Sequence, residues 1–215
     1  MRVRGVFATL SDRLRQALSR VGLRAGEYDG DYDRLSRLYR LPDPWRLGRP
    51  QEVERYRRTN DIIRLLAPER GALLEIGSGE GHHTQHLMEV ASAVVGIEIS
   101  AEAVRRARDR VPSATFHRGR GEDLELIVGD RRFAVATACE VLCYSPAAHF
   151  ILEQMARVAD RVVVTTYEGQ ERRVAPLFHD DRWIRLPDIV VGRYRWHCRV
   201  WTSDARPSAP ECRPS

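Results

Sequence analysis

The chain has 215 residues, of which 43% are hydrophobic, and this is enough for one sizeable core. The formal net charge is +5, but all 35 basic residues are arginines, spread along the chain and interleaved with acids. This distribution argues against nucleic-acid binding. No apolar stretch approaches the roughly 20 residues that cross a bilayer, and the N-terminus lacks the apolar core of a signal peptide. We expect a soluble, cytoplasmic protein without a membrane partner.

The cysteines do not indicate a metal site. Cys139, Cys143, Cys198 and Cys212 form no CxxC pair and have no accompanying histidine spacing of the kind that binds zinc. We interpret them as reduced thiols and predict no metal.

The N-terminal part of the chain has helical periodicity. Residues 6–23 predict an amphipathic helix with a stripe formed by Val6, Leu10, Leu14, Leu18 and Val21. Such a helix either caps the core or meets a partner, including a second copy in a homodimer. Pro42 and Pro44 then interrupt a tyrosine-rich segment, and a second helix is predicted from Gln51 to Leu66. We assign residues 1–66 to a helical cap or lid.

From residue 72 onwards, strands and helices alternate. This alternation predicts an α/β fold of the Rossmann-like kind, with a mostly parallel sheet and helices on both faces. Ser100 is expected to cap the helix after the second strand. The fold should span residues 67–202, followed by a disordered tail over residues 203–215. The first five strands are predicted at Ala72–Ile76, Ala93–Ile99, Thr115–His117, Phe133–Ala138 and Arg161–Tyr167.

A glycine-rich loop, "EIGSGEG", follows the first strand. Gly77, Gly79 and Gly81 give the spacing G-x-G-x-G, whereas dinucleotide sites use G-x-G-x-x-G. Glu75 precedes the first glycine, where a pyrophosphate would be repelled and a cationic sulfonium or ammonium would be attracted. Glu98, at the end of the second strand, is placed to bind ribose hydroxyls. These residues favour S-adenosylmethionine as the cofactor.

Four segments resemble the motifs of class I S-adenosylmethionine-dependent methyltransferases, in order and at ordinary spacing. These are "LLEIGSGEGHHTQHL", "VVGIEIS", "FHRGRGEDL" and "FAVATACEVLCY", within residues 70–167. Upstream, "LPDPWRLGRPQEVERYRRTNDII" is similar to the NodS-like branch of N-methyltransferases, which act on an amino sugar of chitooligosaccharides. The resemblance implies a seven-stranded sheet ending in an antiparallel hairpin. Because only about thirty ordered-looking residues follow Tyr167, this hairpin is either complete or abbreviated, and an abbreviated hairpin would leave the acceptor pocket more open.

The resemblance also implies roles for individual residues. Glu75, Gly77, Ser78 and Gly79 would surround the methionine part of the cofactor, and Glu98 would bind its ribose. Ile99 would pack on the adenine, and Gly121 and Glu122 would lie at the edge of that ring. Arg120 stands where the family often has an aspartate. Arg57, on the helix before the first strand, is a candidate for the cofactor carboxylate, and so is His82, which is preferred over His83.

Three residues are candidates for catalysis. Glu140 follows the fourth strand, and it either serves as a base or satisfies free amides at a helix start. Tyr144 and His149 are the second and third candidates after Glu140. The acceptor is expected to be a small molecule or an oligosaccharide, methylated at an amine or a hydroxyl. A methyltransferase acting on RNA or protein, and a non-catalytic cofactor-binding protein, are the alternatives.

Overall fold

The computed structural model describes residues 30–203. The amphipathic helix predicted over residues 6–23, the dimer contact proposed for it, and the tail over residues 204–215 lie outside the described residues.

Seven strands form a single sheet in the order β3-β2-β1-β4-β5-β7-β6. All neighbours pair in parallel as far as β5, and β7 then joins β5 antiparallel. The predicted α/β fold is therefore confirmed. The strands are β1 (Ala72–Ile76), β2 (Ala93–Glu98), β3 (Thr115–Arg118), β4 (Phe133–Cys139), β5 (Ala159–Tyr167), β6 (Trp183–Val191) and β7 (Tyr194–Thr202).

The C-terminal hairpin is complete, so of the two alternatives left open by the sequence the seven-stranded sheet without abbreviation is the one observed. The two strands β6 and β7 each have nine residues, and a turn at Gly192, with φ of 58°, connects them. The register between the strands shifts between Leu186 and Ile189. Pro187 lies in that irregularity, on the edge strand of the sheet, where a residue without an amide hydrogen is tolerated.

The helices cover both faces of the sheet. Ser100 caps α4 as predicted, since its hydroxyl oxygen accepts from the amide of Ala103 at 3.3 Å. The helices are α1 (Tyr32–Leu38), α2 (Pro50–Leu66), α3 (His82–Leu87), α4 (Ala101–Arg110), α5 (Leu124–Val128), α6 (Ala148–Val158) and α7 (Glu171–Val174).

The core is divided into layers by the sheet. On one face, Leu74 and Ile76 of β1 pack with Met155 of α6. On the other face, Leu73 packs with Ile63 of α2 and Leu87 of α3. Full burial of one such side chain contributes about 1.5–3 kcal/mol, so these two layers fix the strand order. No helix within residues 30–203 is long and apolar enough to cross a bilayer.

The strand order also places the site. The chain runs from β1 outward to β2 and β3, then returns to β4 on the other side of β1. Ligands of open parallel sheets bind beyond the carboxyl ends of the strands at such a reversal. The residues that follow β1, β2 and β4 therefore meet at one edge.

Candidate active site

A cavity of about 490 Å³ opens at this edge of the sheet. Its volume lies in the range of small-molecule sites. The cavity extends from the glycine loop to the C-terminal hairpin, and the N-terminal segment forms part of its wall. Predicted residues that line it are Glu75, Gly77, Ser78, Gly79, Glu98, Ile99, Gly121, Glu140 and Tyr144.

The glycine loop presents its backbone to the cavity. Gly77, Gly79 and Gly81 have φ of 71°, 54° and 78°, a backbone region that residues other than glycine rarely adopt. At Gly77 a Cβ atom would also lie 1.9 Å from Cγ2 of Val141. The amide of Gly77 donates to the carbonyl of Ile97 at 2.8 Å, which ties the loop to β2. The positive φ angles and the close packing of Gly77 against Val141 therefore both require glycine in this loop.

Glu98 is a buried carboxylate at the end of β2. Its two oxygens accept from the amides of Gly79 at 3.0 Å and Ser100 at 2.9 Å. Burial raises the pKa of Glu98 to about 7, although the two amide donors work in the opposite direction. A carboxylate in this position is suited to accept hydrogen bonds from two hydroxyl groups.

Glu75, at the end region of β1, is equally buried. The hydroxyl of Thr84 donates to one of its oxygens, and Nδ1 of His83 lies 3.5 Å from the other. Burial raises the pKa of Glu75 to about 8. Glu75 thus has no close cationic partner that would stabilise its charged form. A bound cation could supply that partner.

The two histidines of the loop helix have different positions. His83 lines the cavity, and its ring stacks on Tyr56 with centroids 4.8 Å apart. His82 is buried outside the lining, and its Nε2 lies 4.0 Å from the Asp43 carboxylate. Neighbouring helical residues point about 100° apart, so only one of them faces the ligand. The structure therefore brings His83 to the cavity, and not the predicted His82.

Arg55, rather than Arg57, is the arginine of the cavity. The side chain of Arg57 is 66% exposed and lies 3.8 Å from Glu54, whereas that of Arg55 is 3% exposed. Nε of Arg55 donates to Glu52 at 2.9 Å, and its buried Nη1 has no hydrogen-bond partner. The sequence signal was the helical spacing of Glu52, Arg55 and Thr59, since Arg55 and Thr59 are buried on the same side of α2.

The charge of Arg55 is kept despite its burial. Burial alone would lower the pKa of its guanidinium, but the carboxylates of Glu140 and Glu52 raise that pKa above its ordinary value. The guanidinium also lies 4.6 Å from the ring centre of Tyr56. A permanent cation with a free donor therefore faces the cavity among carboxylates.

Glu140 directly follows β4 and has an unusual backbone, with φ of 61°. A non-glycine residue in this left-handed region stores strain, which is typical of functional sites. Its carboxylate accepts from the amide of Tyr167 at 2.7 Å and from the hydroxyl of Thr165 at 3.1 Å. Burial raises the pKa of Glu140 to about 7, and Arg55 opposes that shift. Its proton can thus be exchanged near neutral pH.

The other two candidates for catalysis separate. Tyr144 lines the cavity, where its ring lies 5.3 Å from that of Trp45. The side chain of His149 is 54% exposed, pairs with Glu153 at 3.4 Å and does not line the cavity. The structure therefore does not bring His149 to the other predicted residues, because α6 directs its side chain to the surface.

Glu122 also differs from its predicted place. It does not line the cavity; its carboxylate accepts from the hydroxyls of Tyr32 and, at 3.0 Å, Ser145. Glu122 therefore connects α1 to the sheet domain and lies outside the cavity in which adenine was predicted to bind. The guanidinium of Arg120 lies 5.4 Å from the ring centre of Tyr32 and supports the same junction.

The segment between α1 and α2 is anchored at a second point. The carboxylate of Glu80 accepts from the amide of Asp43 at 3.0 Å and pairs with Arg106. Arg106 also donates to the carbonyl of Tyr39 at 2.6 Å. Trp45 then donates from Nε1 to the Tyr39 hydroxyl at 3.1 Å. These bonds hold Tyr39 and Trp45 against the cavity as its cover.

Sequence reasoning missed the aromatic residues at the hairpin end. Tyr167, Tyr194 and Trp196 all line the cavity. Tyr167 ends β5 and pairs with Trp196 of β7 in the antiparallel register. The alternation of Tyr194 and Trp196 along a strand was the available signal, because residues two apart share a face.

The strand order, with a cavity at its reversal and an antiparallel last strand pair, is that of the class I methyltransferase fold. A family model described as "Methyltransferase domain" matches residues 74–161. This range holds the glycine loop, Glu98 and Glu140. The solved structure of the N-methyltransferase NodS from Bradyrhizobium japonicum in complex with S-adenosylhomocysteine has a TM-score of 0.64. It is 18% identical, and the match covers 81% of this chain and 98% of that one, so it shows the fold.

Two kinds of curated relative are similar to parts of the chain. The dTDP-3-amino-3,4,6-trideoxy-α-D-glucopyranose N,N-dimethyltransferase of Streptomyces venezuelae is 35% identical over 66 residues, which are 31% of this chain and 28% of that protein. The ribosomal RNA small subunit methyltransferase A of Anaeromyxobacter sp. is 33% identical over 134 residues, and this match covers 54% of this chain and 46% of that protein. The chain thus spans less than a third of the length of the first relative and less than half of the second.

Proposed function

We propose that the chain transfers a methyl group from S-adenosylmethionine to the amine of a small molecule, with an amino sugar as the favoured acceptor. The observation that carries this proposal is a set of three carboxylates around one cavity, of which Glu75 and Glu98 are buried and Glu140 is half-buried. Glu75, Glu98 and Glu140 lie at or directly beyond the ends of three neighbouring parallel strands, and all three line the cavity with the glycine loop.

The residues fit the cofactor. Carboxylates beside the loop suit the sulfonium and ammonium groups and would repel a pyrophosphate. A Cβ atom on Gly77 would collide with Val141, so only glycine keeps the loop backbone in this position beside the cavity. The unpaired buried Nη1 of Arg55 is a donor of the kind that a carboxylate satisfies. Glu98 would accept from the ribose hydroxyls, and Ile99, Gly119 and Gly121 would surround the adenine.

When bound, S-adenosylmethionine supplies an activated methyl group on its sulfonium sulfur. The protein must then align the acceptor and exclude water. Trp45 and Tyr39, held by Glu80 and Arg106, support a closed cover over the site. Tyr144, next to Trp45, would line the path between cofactor and acceptor.

Glu140 is the proposed base. An amine reacts through its free electron pair, so a protonated amine must first lose a proton. With a pKa near 7, the Glu140 carboxylate can accept this proton at neutral pH. The hydrogen bonds from Tyr167 and Thr165 hold its oxygens in place for that transfer.

The names of the relatives support the acceptor class. The Streptomyces venezuelae relative and a second from Streptomyces fradiae, 36% identical over 76 residues, are named as N,N-dimethyltransferases of dTDP-linked amino sugars. The three described cysteines, Cys139, Cys143 and Cys198, are free, which supports a cytoplasmic location. Methylation of RNA is the second candidate, favoured by the Anaeromyxobacter match and the net charge of +5.

Calorimetry and product analysis test the proposal. Titration with S-adenosylhomocysteine should show binding, and titration with NADH should show none. With S-adenosylmethionine and a panel of amino sugars, simple amines and structured RNA, mass spectrometry should find a product 14 Da heavier, a mass gain set by replacing one hydrogen with a methyl group. Methylated RNA with unmodified sugars would replace the proposal by its alternative, and binding without any product would refute catalysis.

A further inference from the structure

Three aromatic side chains form one wall of the cavity at its hairpin end. The ring centres of Tyr167 and Tyr194 lie 6.2 Å and 6.1 Å from that of Trp196. The rings of Tyr194 and Trp196 stack with an interplanar angle of 27°, and the ring of Tyr167 is tilted by 58° from that of Trp196. We call Tyr167, Trp196 and Tyr194 the aromatic wall.

The aromatic wall is directly connected to the proposed base. The main-chain amide of Tyr167 donates to the Glu140 carboxylate at 2.7 Å, and Tyr167 is the register partner of Trp196. A molecule lying on the wall would therefore have one edge beside Glu140. The wall thus belongs to the acceptor end of the cavity, away from the glycine loop.

Packing does not account for the whole wall. Trp196 is 2% exposed and packs with Ile189 and Cys198, so it has a structural role. Tyr167, in contrast, is 39% exposed while it lines the cavity. An exposed aromatic ring at the mouth of a cavity offers binding surface that the fold itself does not need.

Two cations fix the rings from either end. The guanidinium of Arg55 lies 5.8 Å from the ring centre of Trp196, and that of Arg193 lies 5.4 Å from the ring centre of Tyr194. These contacts orient the rings before any ligand arrives. They also leave a cationic group of a ligand next to a like charge, so the wall suits a neutral ring better than an ammonium group.

We propose that the aromatic wall binds the face of a six-membered sugar ring and so determines the acceptor that the enzyme accepts. A pyranose has one face of C–H groups and an edge of hydroxyl or amino groups. Stacking the C–H face on the wall would turn the edge towards Glu140 and Gln170, both of which line the cavity. The inference rests on the proposed function, since it places the acceptor of that reaction.

Variants of the two outer rings test the wall, because changing Trp196 would disturb the core. Tyr167→Leu and Tyr194→Leu should each raise the KM for an amino-sugar acceptor about threefold to tenfold. The kcat should stay within about twofold, and S-adenosylhomocysteine should bind as before, because the backbone amide that holds Glu140 is unchanged. Tyr167→Phe should restore the KM, since it restores the ring. Phe150→Leu is the matched control, because Phe150 is 45% exposed outside the cavity lining.

The KM for a short acyclic amine should be unchanged in the leucine variants. Equal increases for sugar and acyclic amine, or an unchanged sugar KM, would overturn the wall while leaving methyl transfer intact. If the wild-type enzyme methylates no amine, the proposed function fails instead. The wall is then judged by saturation-transfer NMR of an amino sugar with the protein and S-adenosylhomocysteine. Sugar ring protons that receive saturation in wild-type protein and lose it in the leucine variants would sustain the wall; equal signals would refute it.

Discussion

The Glu140 carboxylate accepts a hydrogen bond from the main-chain amide of Tyr167 at 2.7 Å. This bond joins the residue after β4 to the last residue of β5 and holds a side chain whose own backbone lies in the left-handed region. Because the donor is a main-chain group within the sheet, it is rigid. The position of the proposed base is therefore set by the sheet and not by a flexible loop.

Glu140→Gln and Glu98→Ala should have separate effects. Glu140→Gln removes a proton acceptor, so kcat should fall about 100-fold with S-adenosylhomocysteine affinity kept. Glu98→Ala removes the proposed ribose acceptor and the partner of two loop amides, so affinity should fall about tenfold or more. Calorimetry and steady-state kinetics measure the two quantities. Equal losses in both measurements for both variants would refute this division.

The pH dependence of the reaction should follow Glu140. Its pKa near 7 means that the carboxylate is protonated below that pH, so kcat/KM should rise as the pH increases through about 7. Glu140→Gln should lose this limb of the profile. A limb that persists in the variant would assign it to the acceptor amine or to another group.

Arg55→Met and Arg57→Met form a matched pair two residues apart on α2. The first should weaken S-adenosylhomocysteine binding about tenfold or more, because a buried charge-assisted donor is lost. The second should have no effect, because Arg57 is largely exposed. Methylthioadenosine, which lacks the amino-acid carboxylate, should bind both variants like the wild type. A loss of methylthioadenosine binding in Arg55→Met would indicate a general structural defect.

The stability of the ligand-free protein should depend on Glu75. Its pKa of about 8 lies above the unfolded value of about 4.3, so the folded state retains a proton that the unfolded state has released. The contribution of Glu75 to stability therefore falls as the pH rises from about 5 to 8. His83 acts oppositely, because burial lowers its pKa.

Comparison with Glu75→Gln isolates this term. We compare the Tm of the variant with that of the wild type at each pH. The difference should grow in favour of the variant between pH 5 and pH 8, by about 2–4 °C for each kcal/mol that ionisation of the buried Glu75 costs the wild type. Scanning fluorimetry measures it, and Glu89→Gln, a change at an exposed residue, is the control. A difference that is constant with pH would mean that Glu75 does not titrate in this range.

Arg106→Ala should loosen the cover of the cavity. Arg106 pairs with Glu80 and donates to the Tyr39 carbonyl, so its loss releases the segment between α1 and α2. Hydrogen exchange should increase at the amide of Asp43, and cofactor affinity should fall, with exchange in β1 and β4 unchanged. Arg105→Ala, which removes an exposed pair with Asp109, is the control. Equal exchange in the two variants would contradict the anchoring role.

Much of the fold could be predicted because its signals are local. β1 has the predicted bounds, Ala72–Ile76, since a short buried strand is a continuous apolar run ended by glycine. The bounds of β6 could not be predicted because its pattern is broken at Pro187, and an edge strand needs only one partner to pair with. Its place depends on β7, which no local pattern reveals.

The site divides in the same way. Glu98 could be predicted because it follows a strand at a fixed distance from the glycine loop. Arg55 and Arg57 could not be distinguished by type; their difference lies in which side of α2 is covered by the sheet domain. The position of His149 outside the cavity could not be predicted for the corresponding reason, since α6 turns its side chain outward. The pairing of Tyr167 with Trp196 joins residues that are distant in sequence, so it becomes visible only in the folded chain.

The carboxylates around the cavity imply that the catalytic cycle exchanges protons with the solvent. Glu75, Glu98 and Glu140 have pKa values of about 8, 7 and 7, so near neutral pH they carry protons in the ligand-free protein. A cationic cofactor lowers these pKa values and so drives protons out on binding. Methyl transfer would pass the positive charge to the amine, and once the methylated amine has lost a proton the carboxylates would regain their higher pKa values. Calorimetry in buffers of different ionisation enthalpy would count the protons.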